Sequence, residues 1–274
     1  MHQMKTPAPA TPAREAQPET VALFISDLHL QPSSSATTAL FLGFLEQHAR
    51  RARQLYLLGD LFEYWAGDDD METPYLRRIV DALHATSNAG VEIYWIAGNR
   101  DFLAGADFAR AAGLTCLPDP YVAEIAGERV LLTHGDAQCT DDHDYQAFRQ
   151  QVRNPQWQQA FLAQPLAQRK AIIEGMRKGS REAQLGKSME IMDVNPGAIA
   201  ALFDQTGTSL MIHGHTHRPA VHRHDGRVRY VLPDWDGDVS PPRGGWLALD
   251  ASGAIHRHDA LGALLPEQPA LQPS

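Results

Sequence analysis

Five short polar motifs lie along the chain, and each of them follows an apolar stretch. They are Asp27-Leu28-His29, Gly59-Asp60, Gly98-Asn99-Arg100-Asp101, His134-Gly135-Asp136 and His213-Gly214-His215-Thr216-His217. Any one of them alone is explained by helix capping, turn chemistry or a hydrogen-bonded histidine. Together they offer carboxylate, amide and imidazole groups without a thiolate, a set that suits Mn²⁺, Fe²⁺ or Zn²⁺. The combination predicts a centre that holds two divalent cations.

The chemistry of such a centre follows from electrostatics. Two divalent cations a few ångströms apart repel each other strongly, so a shared anionic ligand must lie between them. A pair of metals about 4 Å apart can hold the attacking and the leaving oxygen of a phosphoryl group, and it lowers the pKa of a bound water. The motifs therefore predict hydrolysis of a phosphoester bond.

The elements that carry the first three motifs alternate in type. Apolar runs at 21–26, 54–58 and 91–97 predict buried strands, and helical spacing of apolar residues predicts helices over 37–50 and 74–86. This alternation predicts an α/β fold with parallel strands. Ligand sites in such folds gather at the carboxyl ends of the strands, which is where the motifs stand.

The second half of the chain predicts a different order of secondary structure. Residues 121–136 predict a hairpin that ends in the His134 motif, residues 195–205 a helix, and 209–212 a strand before His213. The remainder over 219–258 has the turn spacing of β-structure. We therefore expect four segments: a disordered extension over 1–20, a core formed by 21–139 and 194–261, a helical insertion over 140–193, and a loose C-terminal tail over 262–274.

The composition restricts the classes of partner. The 274 residues are 43% hydrophobic, which is enough for a sizeable core, and the net charge of −9 argues against a nucleic-acid partner. The longest apolar runs are far shorter than the roughly 20 residues that a membrane span needs. The insertion combines apolar bulk with basic residues, which fits either an ordinary pair of helices with a solvated face or a groove for a lipid with a diphosphate head or for an anionic membrane surface.

The order of the motifs resembles that of the calcineurin-like metallophosphoesterases, from residue 21 to about residue 250. The resemblance implies a four-layer α/β/β/α sandwich with the site at one edge. It implies that one metal is held by Asp27, His29 and His215, that the other is held by Asn99, His134 and His213, and that Asp60 bridges them. Catalytic roles are expected for Asp60, Asn99 and His134 from this resemblance, and for Arg100 from the narrower one described next.

Arg100 departs from the superfamily pattern, which has a histidine at this position. An arginine does not act as a general acid, but it pairs bidentately with phosphate. Several segments then resemble one branch, the UDP-2,3-diacylglucosamine diphosphatases of Gram-negative lipid A synthesis: GDLFEYWAGDD (59–69), GNRDF (98–102), LTHGDAQCTDD (132–142), IMDVNP (191–196) and HGHTHRP (213–219). The resemblance implies cleavage of UDP-2,3-diacylglucosamine to UMP and 2,3-diacylglucosamine 1-phosphate, by water attacking the α-phosphorus, with two Mn²⁺ ions.

The same resemblance implies that the insertion is a lid that receives the acyl chains, and that the protein sits peripherally on the cytoplasmic face of the inner membrane. It implies substrate contacts at Asn99, Arg100, Asp142, Ser180, Gln184, Lys187 and His213. Gln184 departs from the family's asparagine by one methylene, and the segment around 233–245 is longer than the family's usual hairpin.

Two other functions fit parts of the sequence. A nucleotide or protein phosphoesterase of the same fold would use the same metals but would lack a lipid-binding lid. A non-catalytic scaffold of this fold would be expected to have lost ligands, whereas all seven expected ligands are present here.

Overall fold

Two β-sheets form the centre of the computed structural model, which describes residues 19–184 and 191–266, with the backbone alone for 180–184. The first sheet contains β1 (Thr20–Ile25), β2 (Gln54–Leu58), β3 (Glu92–Ile96), β4 (Leu114–Cys116), β10 (Gly245–Asp250) and β11 (Ile255–Asp259), in the order β11-β10-β1-β2-β3-β4. The second contains β5 (Tyr121–Ile125), β6 (Glu128–Thr133), β7 (Leu210–His213), β8 (Ala220–His224) and β9 (Arg227–Val231), in the order β5-β6-β7-β9-β8. Strands β1 to β4 run parallel, as do β6, β7 and β9.

Helices cover the outer faces of both sheets. They are α1 (Ser35–Gln47), α2 (Pro74–Asn88), α3 (Ala106–Ala112), α4 (His143–Val152), α5 (Pro155–Leu162), α6 (Leu166–Gln184) and α7 (Pro196–Thr206). The first three pack on the first sheet, and α7 packs on the second. The layers therefore follow the predicted α/β/β/α order, and the expected fold class is confirmed.

Strand β2 shows why the layers stack in this way. Because side chains alternate along a strand, Leu55 and Leu57 join the core beneath the helices, whereas Tyr56 and Leu58 join the core between the two sheets. All four are at most 3% exposed. A strand buried on both faces needs a continuous apolar run, which is the pattern that the sequence contains.

The segment between β6 and α7 contains three consecutive helices, α4 to α6. Asn154 caps α5, since its side chain accepts hydrogen bonds from the backbone N–H groups of Gln156 and Trp157, and Pro155 occupies the first helical position. Trp157 and Phe161 pack against the first core. The guanidinium of Arg169 is buried and donates to the carbonyls of Gln164 and Ala66 while pairing with Asp69. Among the described helices, none has the length and apolar character to cross a bilayer.

Some elements differ from the sequence-based expectation. The short strand β4 and the seven-residue helix α3 were not predicted. At the C-terminal end, the expected loose tail begins at residue 262, yet the N–H of Leu265 donates to the carbonyl of Arg257 at 2.7 Å, so its first residues lie against β11. Residues 1–18, 185–190 and 267–274 are not among the described residues.

Candidate metal centre

The polar motifs meet where the parallel strands of both sheets end. Two of them are joined by backbone hydrogen bonds, because the N–H of Asp27 donates to Gly59 O at 3.1 Å and the N–H of His29 donates to Asp60 O at 3.0 Å. Asn99 follows the neighbouring strand β3, while His134 follows β6 of the second sheet. Ligand atoms from the two sheets are therefore brought to one edge of the sandwich.

Glycine is required beside these side chains because the backbones approach closely. A Cβ atom on Gly98 would lie 2.1 Å from Asp60 Oδ1, and one on Gly214 would lie 2.3 Å from Asp27 Oδ2. Such distances exclude any side chain without a shift of the carboxylate. The glycines of these motifs therefore serve the packing of the site.

The first cluster of candidate ligands contains Asp27, His29 and His217, whose ligand atoms all lie within 4.8 Å of one another. The Nε2 atoms of the two imidazoles are 3.2 Å apart, and Nε2 of His217 is 3.4 Å from Asp27 Oδ1. Asp27 is fully buried, and its Oδ1 has no hydrogen-bond partner among the described residues. A buried carboxylate oxygen without a donor, facing two imidazole nitrogens, fits a divalent cation.

The second cluster contains Asp27, Asp60 and His134, and it continues to Asn99 and His215. Nδ1 of His134 donates to Leu58 O at 2.8 Å, which directs Nε2 toward Asn99 Oδ1 at 2.9 Å and Asp60 Oδ1 at 3.7 Å. Nδ1 of His215 lies 2.9 Å from the same Asn99 Oδ1. Asp60 also lies 4.0 Å from Nε2 of His29 through its other oxygen, so its carboxylate stands between the two clusters.

The charges of the site favour a cation. Burial would lower the pKa of His134, but Asp60 and Asp27 outweigh it and raise that pKa to about 9. Burial would raise the pKa of Asp27, yet His217 and His134 hold it well below its usual range. The Asp27 carboxylate thus stays ionised, and the neighbouring carboxylates favour the protonated form of His134. A divalent cation fits in place of that proton, so binding would release it.

His213 is placed differently from the expectation, which made it a metal ligand and a substrate contact. Its Nδ1 donates to Gly214 O at 2.9 Å, and its Nε2 accepts from Nη1 of Arg229 at 2.9 Å. Burial and the Arg229 guanidinium lower the pKa of His213 to about 3. Both ring nitrogens are therefore occupied by the protein, and His213 belongs to neither cluster.

The reason lies in where strand β7 ends. His213 still pairs with Val231 in the sheet, whereas His215 and His217 follow the strand with left-handed φ angles of 68° and 54°. These turned residues reach the clusters instead. The sequence analysis named His217 in the motif but assigned it no ligand role, although its two-residue spacing from His215 repeats that of Asp27 and His29.

Two carboxylates behind the imidazoles were also missed. An oxygen of Glu63 lies 3.1 Å from Nδ1 of His29, and Asp234 Oδ2 lies 3.7 Å from Nδ1 of His217. A carboxylate behind the ring orients a ligating histidine and fixes its tautomer. Glu63 lies within the segment GDLFEYW, three residues after Asp60, so its closeness to a motif could have indicated it. Asp234 lies in none of the motifs.

The centre opens into a cavity of about 740 Å³. Three of the residues predicted to contact the substrate, Asn99, Arg100 and Asp142, line this cavity. The side chains of Ser180 and Gln184, and all of Lys187, lie outside the described residues. Nε of Arg100 is buried and has no hydrogen-bond partner among the described residues, which suits an anionic ligand. The inserted helices contribute an apolar part of the wall, formed by Phe148, Trp157, Phe161, Ile173 and Met176.

The fold and the site define a class of enzyme, and comparison with known proteins agrees. The chain belongs to the calcineurin-like phosphoesterases, whose family model matches residues 21–219. Within that class it belongs to the family of UDP-2,3-diacylglucosamine hydrolases. It is 53% identical to the UDP-2,3-diacylglucosamine hydrolase of Aromatoleum aromaticum over 222 residues, covering 80% of this chain and 90% of that protein.

Other relatives carry the same name. The Bordetella pertussis protein is 48% identical over 235 residues, which cover 83% of this chain and 91% of the relative. The protein of Escherichia coli O7:K1 is 53% identical over 222 residues, which cover 80% of this chain and 92% of the relative. The match therefore spans nearly the whole length of each relative.

Proposed function

We propose that the protein hydrolyses the pyrophosphate bond of UDP-2,3-diacylglucosamine, giving UMP and 2,3-diacylglucosamine 1-phosphate as in lipid A biosynthesis. The observation that carries this proposal is that the clusters of candidate ligands open into a large cavity whose wall is partly apolar. A phosphate-bearing lipid needs both surfaces at once. The relatives named for this substrate support the same conclusion. A nucleotide or protein phosphoesterase would have no use for the apolar wall.

The proposal includes a revised set of ligands for two Mn²⁺ ions. Asp27, His29 and His217 would hold one ion, and Asn99, His134 and His215 would hold the other. Asp60 would be shared, which its position between the clusters supports. When bound, such ions activate water and offset the charge that develops on the phosphoryl oxygens.

Arg100 and Asn99 would position the diphosphate. The backbone N–H of Arg100 donates to Asp60 Oδ1 at 2.8 Å, so the guanidinium is tethered beside the centre while its Nε stays available for phosphate. A guanidinium binds phosphate through parallel charge-assisted hydrogen bonds. The leaving group is itself a phosphate, which departs without a general acid. Arginine in place of histidine is therefore consistent with this reaction.

We also propose that residues 140–193 form a lid that receives the acyl chains, with Asp142, Ser180, Gln184 and Lys187 as further substrate contacts. Exposed apolar side chains support the lid. Of the seven large apolar side chains that are exposed among the described residues, four belong to this segment. Those four are Phe148, Leu162, Met176 and Ile191, each 38–39% exposed. The same surface would let the protein rest peripherally on the cytoplasmic face of the inner membrane.

The test is an assay of the metal-free protein reconstituted with Mn²⁺, using UDP-2,3-diacylglucosamine in ¹⁸O-labelled water. We expect label in UMP alone, since water attacks the α-phosphorus. UDP-N-acetylglucosamine, which has an N-acetyl group but no long acyl chains, is the matched control and should turn over poorly. Label in the lipid product would overturn the point of attack, and equal turnover of both substrates would overturn the lid. Metal analysis of the active protein should give two Mn²⁺ per chain.

A further inference from the structure

A second cleft, of about 300 Å³, adjoins the metal centre. His29, Glu63, Arg100 and His217 line both this cleft and the large cavity, so the two spaces meet at the candidate ligands. The remaining walls of the cleft come from residues 28–37 and 234–243, and no residue of the inserted helices contributes to it. Its volume lies at the lower end of the range for small-molecule sites, roughly 300–1,000 Å³.

The walls of the two spaces differ in chemistry. The cleft presents Gln31, Ser34, Asp236 and Arg243, which offer hydrogen-bond donors, acceptors and both signs of charge. The large cavity is lined in part by aromatic and aliphatic side chains of the inserted helices. A ligand that occupies both spaces would therefore need a polar end for the cleft and an apolar end for the large cavity.

The proposed substrate has this character. In a pyrophosphate both phosphate groups must lie at the centre for the bond between them to be cleaved, so their two substituents leave it in different directions. The acylated sugar needs the apolar cavity. We propose that the cleft is the nucleoside subsite and binds the uridine half of the substrate; this rests on the proposed function.

The functional groups of the cleft suit a pyrimidine nucleoside. The Gln31 side chain carries an amide N–H donor and a carbonyl acceptor. The imide edge of uracil offers a carbonyl acceptor and an N–H donor that can pair with them. The Asp236 carboxylate can accept hydrogen bonds from ribose hydroxyls. Trp235 also lines the cleft, and its buried indole N–H has no partner among the described residues, a donor of the kind that a ligand or an ordered water completes.

The loop that forms one wall is held rigidly. Both oxygens of Asp234 accept from the guanidinium of Arg243 at 2.7–3.0 Å, and Asp236 and Arg243 exchange two backbone hydrogen bonds of 2.9 and 2.8 Å. Asp238 accepts from the backbone N–H groups of Ala36 and Thr37 and so anchors the loop to the start of α1. A wall fixed before the ligand arrives loses little entropy on binding. This gives a role to the long segment around 233–245.

The first test separates the two spaces by direct binding to the full-length, Mn²⁺-loaded protein. Titration calorimetry would measure the affinity of two variants for UMP and for 2,3-diacylglucosamine 1-phosphate. Gln31→Trp fills the cleft, and Phe148→Asp places a charge in the apolar wall. We expect Gln31→Trp to weaken UMP at least about tenfold, with little change for the lipid product, and Phe148→Asp to give the reverse pattern. Unchanged UMP binding in Gln31→Trp, or a loss for the lipid product instead, overturns the subsite.

A second measurement uses the unaltered protein, so it does not depend on a variant that folds. Irradiation with 4-thio-UMP followed by peptide mass spectrometry should give crosslinks within 28–37 or 234–243. Crosslinks within 143–179, or the absence of saturable UMP binding, overturn the subsite. If UMP maps to the cleft but the protein does not hydrolyse UDP-2,3-diacylglucosamine, the proposed function fails and the nucleotide site stands. If the protein hydrolyses it while UMP maps to the lid, only the subsite fails.

Discussion

Left-handed backbone is concentrated at residues that carry potential ligand atoms. Of the seven described non-glycine residues with positive φ, five belong to the candidate metal centre: Asp27, His29, Asp60, His215 and His217. Their φ angles of 48–68° are unfavourable by about 1 kcal/mol or more for an L-residue. The surrounding packing must offset this cost. The left-handed backbone directs each of these side chains inward, whereas a strand end with relaxed φ angles would direct it elsewhere.

The reassignment of the histidines can be tested at this scale with a matched pair. His217→Ala removes a candidate ligand of the first cluster, whereas His213→Ala removes a ring whose two nitrogens are already bound by Gly214 and Arg229. We expect His217→Ala to bind at least one metal about tenfold or more weakly, and His213→Ala to retain both. Metal analysis after dialysis against a graded chelator would measure this. Metal loss in His213→Ala alone would restore the original assignment.

Arg100 should affect catalysis without affecting metal content. Its backbone N–H holds Asp60, so truncation of the side chain leaves that contact in place. A charged hydrogen bond to phosphate contributes about 1.5–3 kcal/mol, which corresponds to a loss of roughly 10- to 150-fold in kcat/KM for Arg100→Ala. Steady-state kinetics beside metal analysis would check it, with Arg100→Lys as the intermediate case. A fall in bound metal would show that Arg100 acts through the ligands instead.

Individual elements are held by side chains far from them in sequence as well as by local contacts. Helix α3 has no side-chain cap of its own, and instead the carboxylate of Asp68 accepts from the backbone N–H groups of Gly105, Asp107 and Phe108. Helix α6 is joined to the loop after β2 by Lys170 with Asp70 and by Arg177 with Glu63. Since Glu63 also lies beside His29, helix α6 and the first cluster of candidate ligands share one carboxylate.

The β10–β11 hairpin offers a test of stability against pH. Burial would raise the pKa of Asp250, but hydrogen bonds from Ser252 and His256 outweigh it and lower the pKa to about 2 from its usual 3.8. A depressed folded-state pKa contributes stability above the unfolded value and loses it as pH falls through the folded one. Asp250→Asn should therefore destabilise the protein by about 1–2 kcal/mol at pH 7, and the difference should shrink between pH 4 and pH 2.

Urea unfolding at pH 7 and at pH 3 would measure this difference. Asp225→Asn, in the β8–β9 turn, is the control, because Asp225 is exposed and pairs only with the exposed ring of His224 among the described contacts. It should change the free energy of unfolding little at either pH. A pH-independent effect of Asp250→Asn would show that shape rather than charge stabilises the hairpin.

The whole molecule depends on two sheets meeting at one edge. Asp27, Asp60 and Asn99 follow strands of the first sheet, while His134, His215 and His217 follow strands of the second. An apolar core joins the two sheets. Bound ions would add coordination bonds to ligands from both sheets. Metal binding should therefore stabilise the folded protein as a unit.

Chelation tests this coupling. At a free metal concentration of about 100 times the dissociation constant, binding adds about 2.7 kcal/mol to the free energy of unfolding. For a domain of this size that is a rise in Tm of roughly 5–10 °C, which EDTA should abolish. Calorimetry with and without EDTA would record it, and His217→Ala should show a smaller shift. An unchanged Tm on chelation would mean that the ions do not tie the sheets together.

The sequence by itself determined the order of the elements and most of the centre. Strands β1, β2 and β3 were predictable because burial on both faces demands apolar runs, and Asp27, Asp60, Asn99 and His134 could be placed because strand ends of a parallel sheet share an edge. The short elements β4 and α3 had too few residues to show a period.

Only the tertiary structure decided which histidines face the centre and what surrounds them. The direction of each ring depends on where β7 stops pairing and on left-handed turns after it, and a spacing of two residues does not encode either. Glu63 and Asp234 reach the imidazoles from distant loops. The polar cleft is likewise made by 28–37 and 234–243, about two hundred residues apart in the chain, and such a surface exists only once the sheets have packed.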